Sequence, residues 1–164
     1  MKIVWDLDGV IRDLNVYVCQ KQNCSYPDKW DYKYNGKTIF ECVDEDLTIL
    51  EKAPATGYKA VIKAHYKNIE IWTSQPKHWR VHTMQWVNKH MGSGSVVHFL
   101  NTEEKEEKLN LEENTVLVED SPNFKCYDNV LLIDRPYNQT VVGAIRIFGS
   151  KHLNNMIEVI KEKK

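Results

Sequence analysis

Residues 3–9 read Ile-Val-Trp-Asp-Leu-Asp-Gly, an apolar run that ends in two carboxylates spaced i, i+2 and then a glycine. The run has the length and composition of a buried strand. Residues two apart in an extended segment point to the same side, so Asp6 and Asp8 can serve one site at the strand's carboxyl end, where open α/β sheets bind ligands. Gly9 permits a sharp turn and a close approach of backbone to an anion. Taken alone, the same residues describe a solvated acidic turn, so the reading depends on what the other strands deliver.

Apolar runs of similar length recur at 2–5, 69–72, 96–100, 115–118 and 130–133. Between most of them lie segments with helical spacing, including Ala60, Val61, Ala64 and His65, and Val81, Met84, Gln85, Val87 and Asn88. Leu153, Met156, Ile157 and Ile160 add a C-terminal amphipathic helix, whose lysine tail reads as solubilising. Strands alternating with helices predict an α/β fold, a Rossmann-like three-layer α/β/α sandwich with a mostly parallel central sheet. The segment 19–51 breaks the rhythm with Tyr, Trp, Lys and Asp, so it reads as a small cap insert over the site edge. The core domain is then 1–18 and 52–164, with Ala53-Pro54-Ala55-Thr56-Gly57 marking the return.

Composition narrows the function classes. Twenty-two basic and 23 acidic residues leave a net charge of −1, which gives no field for gripping a polymeric phosphate backbone. No apolar run is long enough to span a bilayer, and the first strand begins at Lys2 without room for a signal peptide, so a cytoplasmic protein is expected. Cys19, Cys24, Cys42 and Cys126 lack zinc spacing and read as free thiols. His78 and His82 sit at i, i+4 without the glutamate of a zinc motif, so they read as solvated or rim histidines. The sequence is compatible with a homodimer.

Three further strand ends carry polar groups. Thr73-Ser74 follows the second core strand, and either hydroxyl could donate to a phosphate oxygen. After the third strand comes an acidic helix, with Thr102 a plausible N-cap and Lys105 and Lys108 in its first turns. The spacing from Thr102 favours Lys105, and the spacing back from Glu119 favours Lys108. The fourth strand ends in Glu119-Asp120-Ser121-Pro122, again delivering paired carboxylates to the same edge. Each feature alone has an ordinary structural explanation, but their convergence in this order does not. An oxygen-only ligand set points to a hard cation, Mg²⁺, which takes one or two carboxylates plus substrate phosphate.

With Asp6-Leu-Asp8-Gly9-Val10, Thr73-Ser74, Lys105 or Lys108, and Glu119-Asp120 in this order, the chain resembles the haloacid dehalogenase-like phosphohydrolases. Within them it is most similar to the 5'(3')-deoxyribonucleotidases, through Asp-x-Asp-Gly-Val-x-x-Asp at 6–13, Pro-x-x-Gly at 54–57, Trp86-Val87 and Arg135-Pro136-Tyr137-Asn138. The resemblance implies a phosphomonoesterase acting on a small phosphorylated metabolite, a (deoxy)nucleoside monophosphate. It makes Asp6 the nucleophile, Asp8 the acid and base, and Thr73, Ser74 and the lysine the phosphate-binding groups. It also implies Mg²⁺ held by Asp6, the Asp8 carbonyl and Asp120, with Glu119 ordering a coordinated water.

Trp30, Tyr32, Tyr34 and Phe40 offer flat faces for a nucleobase or a small core for the insert itself. Arg12 stands where that family has a small residue, and reads either as an extra phosphate ligand or as a surface arginine. The insert is also shorter than the helical cap of that family, and motif four begins with Glu119 where Asp is commoner. Removal of terminal phosphates from nucleic-acid ends and a non-catalytic phosphate-binding module are the two alternative readings.

Overall fold

The computed structural model describes residues 1–162, which leaves the end of the lysine tail outside the described residues. The apolar runs become strands β1 (Lys2–Trp5), β2 (Glu70–Thr73), β3 (Val96–Phe99), β4 (Thr115–Glu119) and β5 (Val130–Ile133), and a sixth, β6 (Ile145–Ile147), was not foreseen. They form one sheet in the order β3-β2-β1-β4-β5-β6, and every pairing is parallel. The α/β/α expectation therefore holds, with a wholly parallel sheet.

The layers follow from side-chain alternation. Ile3, Trp5, Val116, Val118, Leu131 and Ile133 face a core shared with α4 (Tyr58–His65), α5 (Arg80–Met91) and α7 (Ser150–Glu162). The intervening residues Val4, Leu117 and Val130, with Trp72, face Leu109 of α6 (Thr102–Leu111) and Phe124. Burial on both faces explains why these strands read as continuous apolar runs.

The chain order places the site. From β1 it runs out to β2 and β3, then crosses back to β4 on the other side of β1. The carboxyl ends of β1 and β4 thus flank the topological switch point, where doubly wound sheets open a crevice.

The insert contributes α1 (Leu14–Gln22), α2 (Ile39–Glu45) and α3 (Ile49–Lys52). Their apolar faces, including Val18, Cys42, Val43 and Leu50, cluster with Tyr34 and with Trp79 from the segment before α5. The expected boundary between 18 and 19 falls inside α1, because the helix starts as soon as Asp13 caps it by accepting from the Val16 amide at 3.2 Å. The return to the core is pinned by Thr56, whose amide donates to the Ile11 carbonyl at 2.8 Å and whose hydroxyl donates to the Val10 carbonyl at 2.5 Å.

Two helix faces differ from the sequence reading. The buried stripe of α5 is Thr83, Trp86, Val87 and Met91, whereas Val81 is exposed. In α4 the buried residues are Tyr58 and Ile62. Both helices turn polar or aromatic groups inward because those groups find partners there, as Trp86 does by donating from its indole to the Ala53 carbonyl at 2.8 Å.

Candidate active site

Asp6 follows β1 directly, and the chain then folds into a tight loop in which the Ile11 and Arg12 amides both donate to the Leu7 carbonyl. Gly9 has φ +88°, and a Cβ built there would lie 1.8 Å from Asp120 Oδ2. Only glycine lets this loop press against the acidic tip of β4.

Lys105 arrives from α6. Asn101, not Thr102, caps that helix: its side chain accepts from the Glu104 amide at 2.8 Å, and Glu104 accepts from the Asn101 amide at 2.7 Å. This reciprocal box is worth about 1 kcal/mol and fixes the first turn. Lys105 Nζ then donates to Asp6 Oδ1 at 2.6 Å and Glu119 Oε2 at 2.8 Å, fully buried between them. Lys108 lies on another face of α6, paired with Glu112 at 2.6 Å and resting over the Trp72 ring. The geometry therefore brings Lys105 to the site and takes Lys108 away from it.

Asp6, Glu119 and Asp120 can each present a carboxylate oxygen within 4.8 Å of the others. All three are buried. With one ammonium among three carboxylates, the full ionised set would carry a net charge of −2 (−3 + 1), which a dry site does not tolerate. Burial first, and then the Glu119 charge, push Asp6 up to about 8. The same causes hold Asp120 well above the usual carboxylate range. A hard divalent cation would supply the missing charge, and the all-oxygen donor set of Asp6, Glu119 and Asp120 fits such an ion.

A stability prediction follows from these raised carboxyls. A carboxyl bound more tightly to its proton in the folded state stabilises fully below its unfolded value near 3.8, and that stabilisation fades as pH rises towards about 8. Without divalent cation the unfolding midpoint should therefore fall between pH 5 and pH 8. Adding Mg²⁺ should raise the midpoint more at pH 8 than at pH 5, because bound metal needs ionised ligands. His90, whose basicity burial lowers, acts in the opposite sense, but its contribution cancels in the difference with and without metal. Calorimetric scans in chelator and in Mg²⁺ read that difference, and a metal-induced rise independent of pH would contradict the assignment.

Other groups order the acids. Glu119 Oε1 accepts from the amides of Asp120 and Ser121 at 3.0 and 3.2 Å. Tyr137 donates its hydroxyl to Asp120 Oδ2, and Asn138 clips the Asp120 and Ile133 carbonyls at 2.9 and 2.8 Å. Arg135 donates to the Gly9 carbonyl. The sequence reading used these three residues only as marks of resemblance, and their position just after β5, at the same sheet edge, was the available clue.

Asp8 accepts from Arg12 Nε at 2.6 Å, Arg12 Nη2 at 2.9 Å and Gln75 Nε2 at 2.6 Å. Arg12 is neither on the surface nor in the cavity; it is completely buried. It can be buried because Asp8 neutralises it and the Leu50 carbonyl accepts from Nη1 at 2.8 Å.

Asp6, Asp8, Thr73, Ser74, Lys105, Glu119 and Asp120 line one cavity of about 520 Å³, within the range of small-molecule sites. Thr73 is buried at its floor, whereas the Ser74 hydroxyl donates to the Leu100 carbonyl at 2.6 Å. Residues of the insert also line this cavity. Trp30 and Phe40 are each half exposed there, and the Trp30 ring lies 5.7 Å from that of Tyr137. Tyr32 and Tyr34 also line the cavity, although Tyr34 is buried in the insert's core, donating its hydroxyl to Asn15, with Tyr32 packed edge-on against it at 5.1 Å. His78 and His82, read as solvated or rim histidines, also pair with the insert: His78, its side chain 56% exposed, with Asp44 at 2.7 Å, and His82 with Glu51. The cysteines are free.

No family model matches the chain, and no curated protein matches it. Among solved structures it is similar to a "putative beta-phosphoglucomutase from Thermotoga maritima", with a TM-score of 0.56 and 14% identity over 97% of this chain and 99% of that one. The likeness is one of fold. No helix among the described residues is long and apolar enough to cross a membrane.

Proposed function

We propose that the chain is a Mg²⁺-dependent phosphomonoesterase of the haloacid dehalogenase-like kind, acting on a small phosphorylated metabolite through an aspartyl-phosphate. The observation that carries this reading is the convergence of Asp6, Lys105, Glu119 and Asp120 at one sheet edge, with Asp8 beside them on the same cavity. The fold likeness is consistent with it.

Asp6 would attack phosphorus as the ester P–O bond breaks, and Asp8 would give its proton to the departing oxygen. Water would then attack the aspartyl-phosphate, losing its proton to Asp8 and returning Asp6 as a carboxylate. Lys105 and the Thr73 hydroxyl supply fixed positive charge and a donor for the phosphoryl oxygens, the main requirement of this chemistry. Mg²⁺, held by Asp6, the Asp8 carbonyl and Asp120 with Glu119 ordering a bound water, would neutralise the charge of the transferred group.

The substrate class is a (deoxy)nucleoside monophosphate, as in the 5'(3')-deoxyribonucleotidases. Trp30 and Phe40 support it, because half-exposed rings lining the same cavity as the phosphate-site residues suit a stacked base. A panel of phosphomonoesters assayed with Mg²⁺ and with chelator tests the reading. Metal-dependent turnover of nucleoside monophosphates above sugar phosphates is expected, and no turnover of any ester would sink it.

A further inference from the structure

We infer that Arg12 is a positioning residue for Asp8: its fork holds the acid–base carboxylate towards the departing oxygen and ties that orientation to the seating of the insert. The inference rests on the phosphomonoesterase reading and extends it. Nε and Nη2 grip the two oxygens of Asp8 at 2.6 and 2.9 Å, so the carboxylate cannot rotate without breaking both bonds. The remaining nitrogen donates to the Leu50 carbonyl of α3, and the guanidinium lies 5.5 Å from the Trp86 ring centre. Gln75 completes the clamp by donating to Asp8 while accepting from the Thr83 hydroxyl at 2.7 Å.

The arrangement is poorly suited to a purely structural role. A buried ion pair is weak evidence for stability, since desolvation offsets most of its attraction. Here one partner is wholly buried, whereas the Asp8 side chain stays 23% exposed on the cavity. The rigid end of the pair is thus anchored in protein, and the reactive end is presented to substrate. Because the anchor includes a backbone carbonyl of the insert, movement of α3 would shift Asp8 directly.

Leaving-group dependence tests this. Poor leaving groups need protonation as they depart, but 4-nitrophenolate does not. Misplacing a reacting group by about 1 Å costs about 100-fold. Arg12→Lys and Arg12→Met should therefore lower kcat/KM, which reads the step in which the ester oxygen departs, by about 10- to 100-fold on a nucleoside monophosphate. On 4-nitrophenyl phosphate kcat/KM should fall by no more than about threefold, the rest of the site being intact; kcat is not diagnostic, because both esters share the aspartyl-phosphate hydrolysis in which Asp8 takes up a proton. In an Asp8→Asn background, Arg12→Lys should add little further loss.

An equal fall in kcat/KM on both substrates, unchanged kcat/KM on both, or failure of both variants to fold would each overturn the inference and assign Arg12 to structure or to nothing. A wild-type protein without activity on either ester would instead remove the phosphomonoesterase reading on which the inference depends.

Discussion

Asp6→Asn is expected to lower kcat on any phosphomonoester by about 10³-fold or more while raising the unfolding midpoint of the metal-free protein. The two effects share one cause. On the phosphomonoesterase reading, the Asp6 carboxylate forms the covalent bond, and an amide oxygen is too weak a nucleophile to replace it. The same carboxylate is buried beside Glu119 and Asp120, and its proton affinity, raised to about 8, reports how poorly the acidic cluster by itself bears its charge. An amide of nearly the same volume relieves that repulsion.

Residual Mg²⁺ stabilisation should shrink in the variant, because one ligand oxygen has lost its charge. Steady-state rates together with thermal scans, with and without Mg²⁺, check the pairing of outcomes. A variant that keeps wild-type turnover would show that the observed hydrolysis comes from elsewhere. Loss of activity accompanied by lower metal-free stability would mean that Asp6 supports the fold rather than the chemistry.

The parts of this site legible in the sequence are those whose signals are local. Strands buried on both faces must be apolar throughout, so β1, β4 and β5 read directly from composition, and the acids after β1 and β4 stand out against them. β6 gave no such signal: it has three residues, Ile145 is exposed, and the Arg146 guanidinium between the two isoleucines donates to Asp134 and Asn138. The face of α5 was misread because Thr83 is interior, held by Gln75.

Arg12 was misread for a related reason. A buried arginine is intelligible only once its partners are known, and the contacts that matter, to Leu50 and Thr83, are 38 and 71 residues away. The Asp8–Arg12 pair itself is four residues apart and was visible, but opposite charges at that spacing are equally ordinary on a solvated surface. Trp30 and Tyr34 have identical standing in the sequence; both line the cavity, and only tertiary packing leaves one ring half exposed there and buries the other in the insert's core.

The ambiguity between the two lysines sets up the second large effect. Lys105→Met should destabilise the protein by about 3–5 kcal/mol, the cost of removing one partner from a buried charge cluster. Lys108→Met should cost about 0.5 kcal/mol, as expected for a partly exposed i, i+4 pair with some packing on an aromatic ring. Lys105 is enclosed between Asp6 and Glu119; burial lowers its proton affinity, but the two carboxylates more than offset this and hold it above the ordinary lysine value. Removing its charge leaves the three buried carboxylates without the ammonium that sits between Asp6 and Glu119, so the destabilisation should be larger at pH 8 than at pH 5, where proton uptake by Asp6 and Asp120 relieves the cluster. Mg²⁺ should recover part of the lost stability, yet turnover should stay depressed because, on the phosphomonoesterase reading, the ammonium that meets the phosphoryl oxygens is gone. Denaturant unfolding and phosphatase rates on the two variants side by side measure both quantities. Equal losses in the pair, or a larger loss at Lys108, would mean that α6 presents a different face to the acids than the one described.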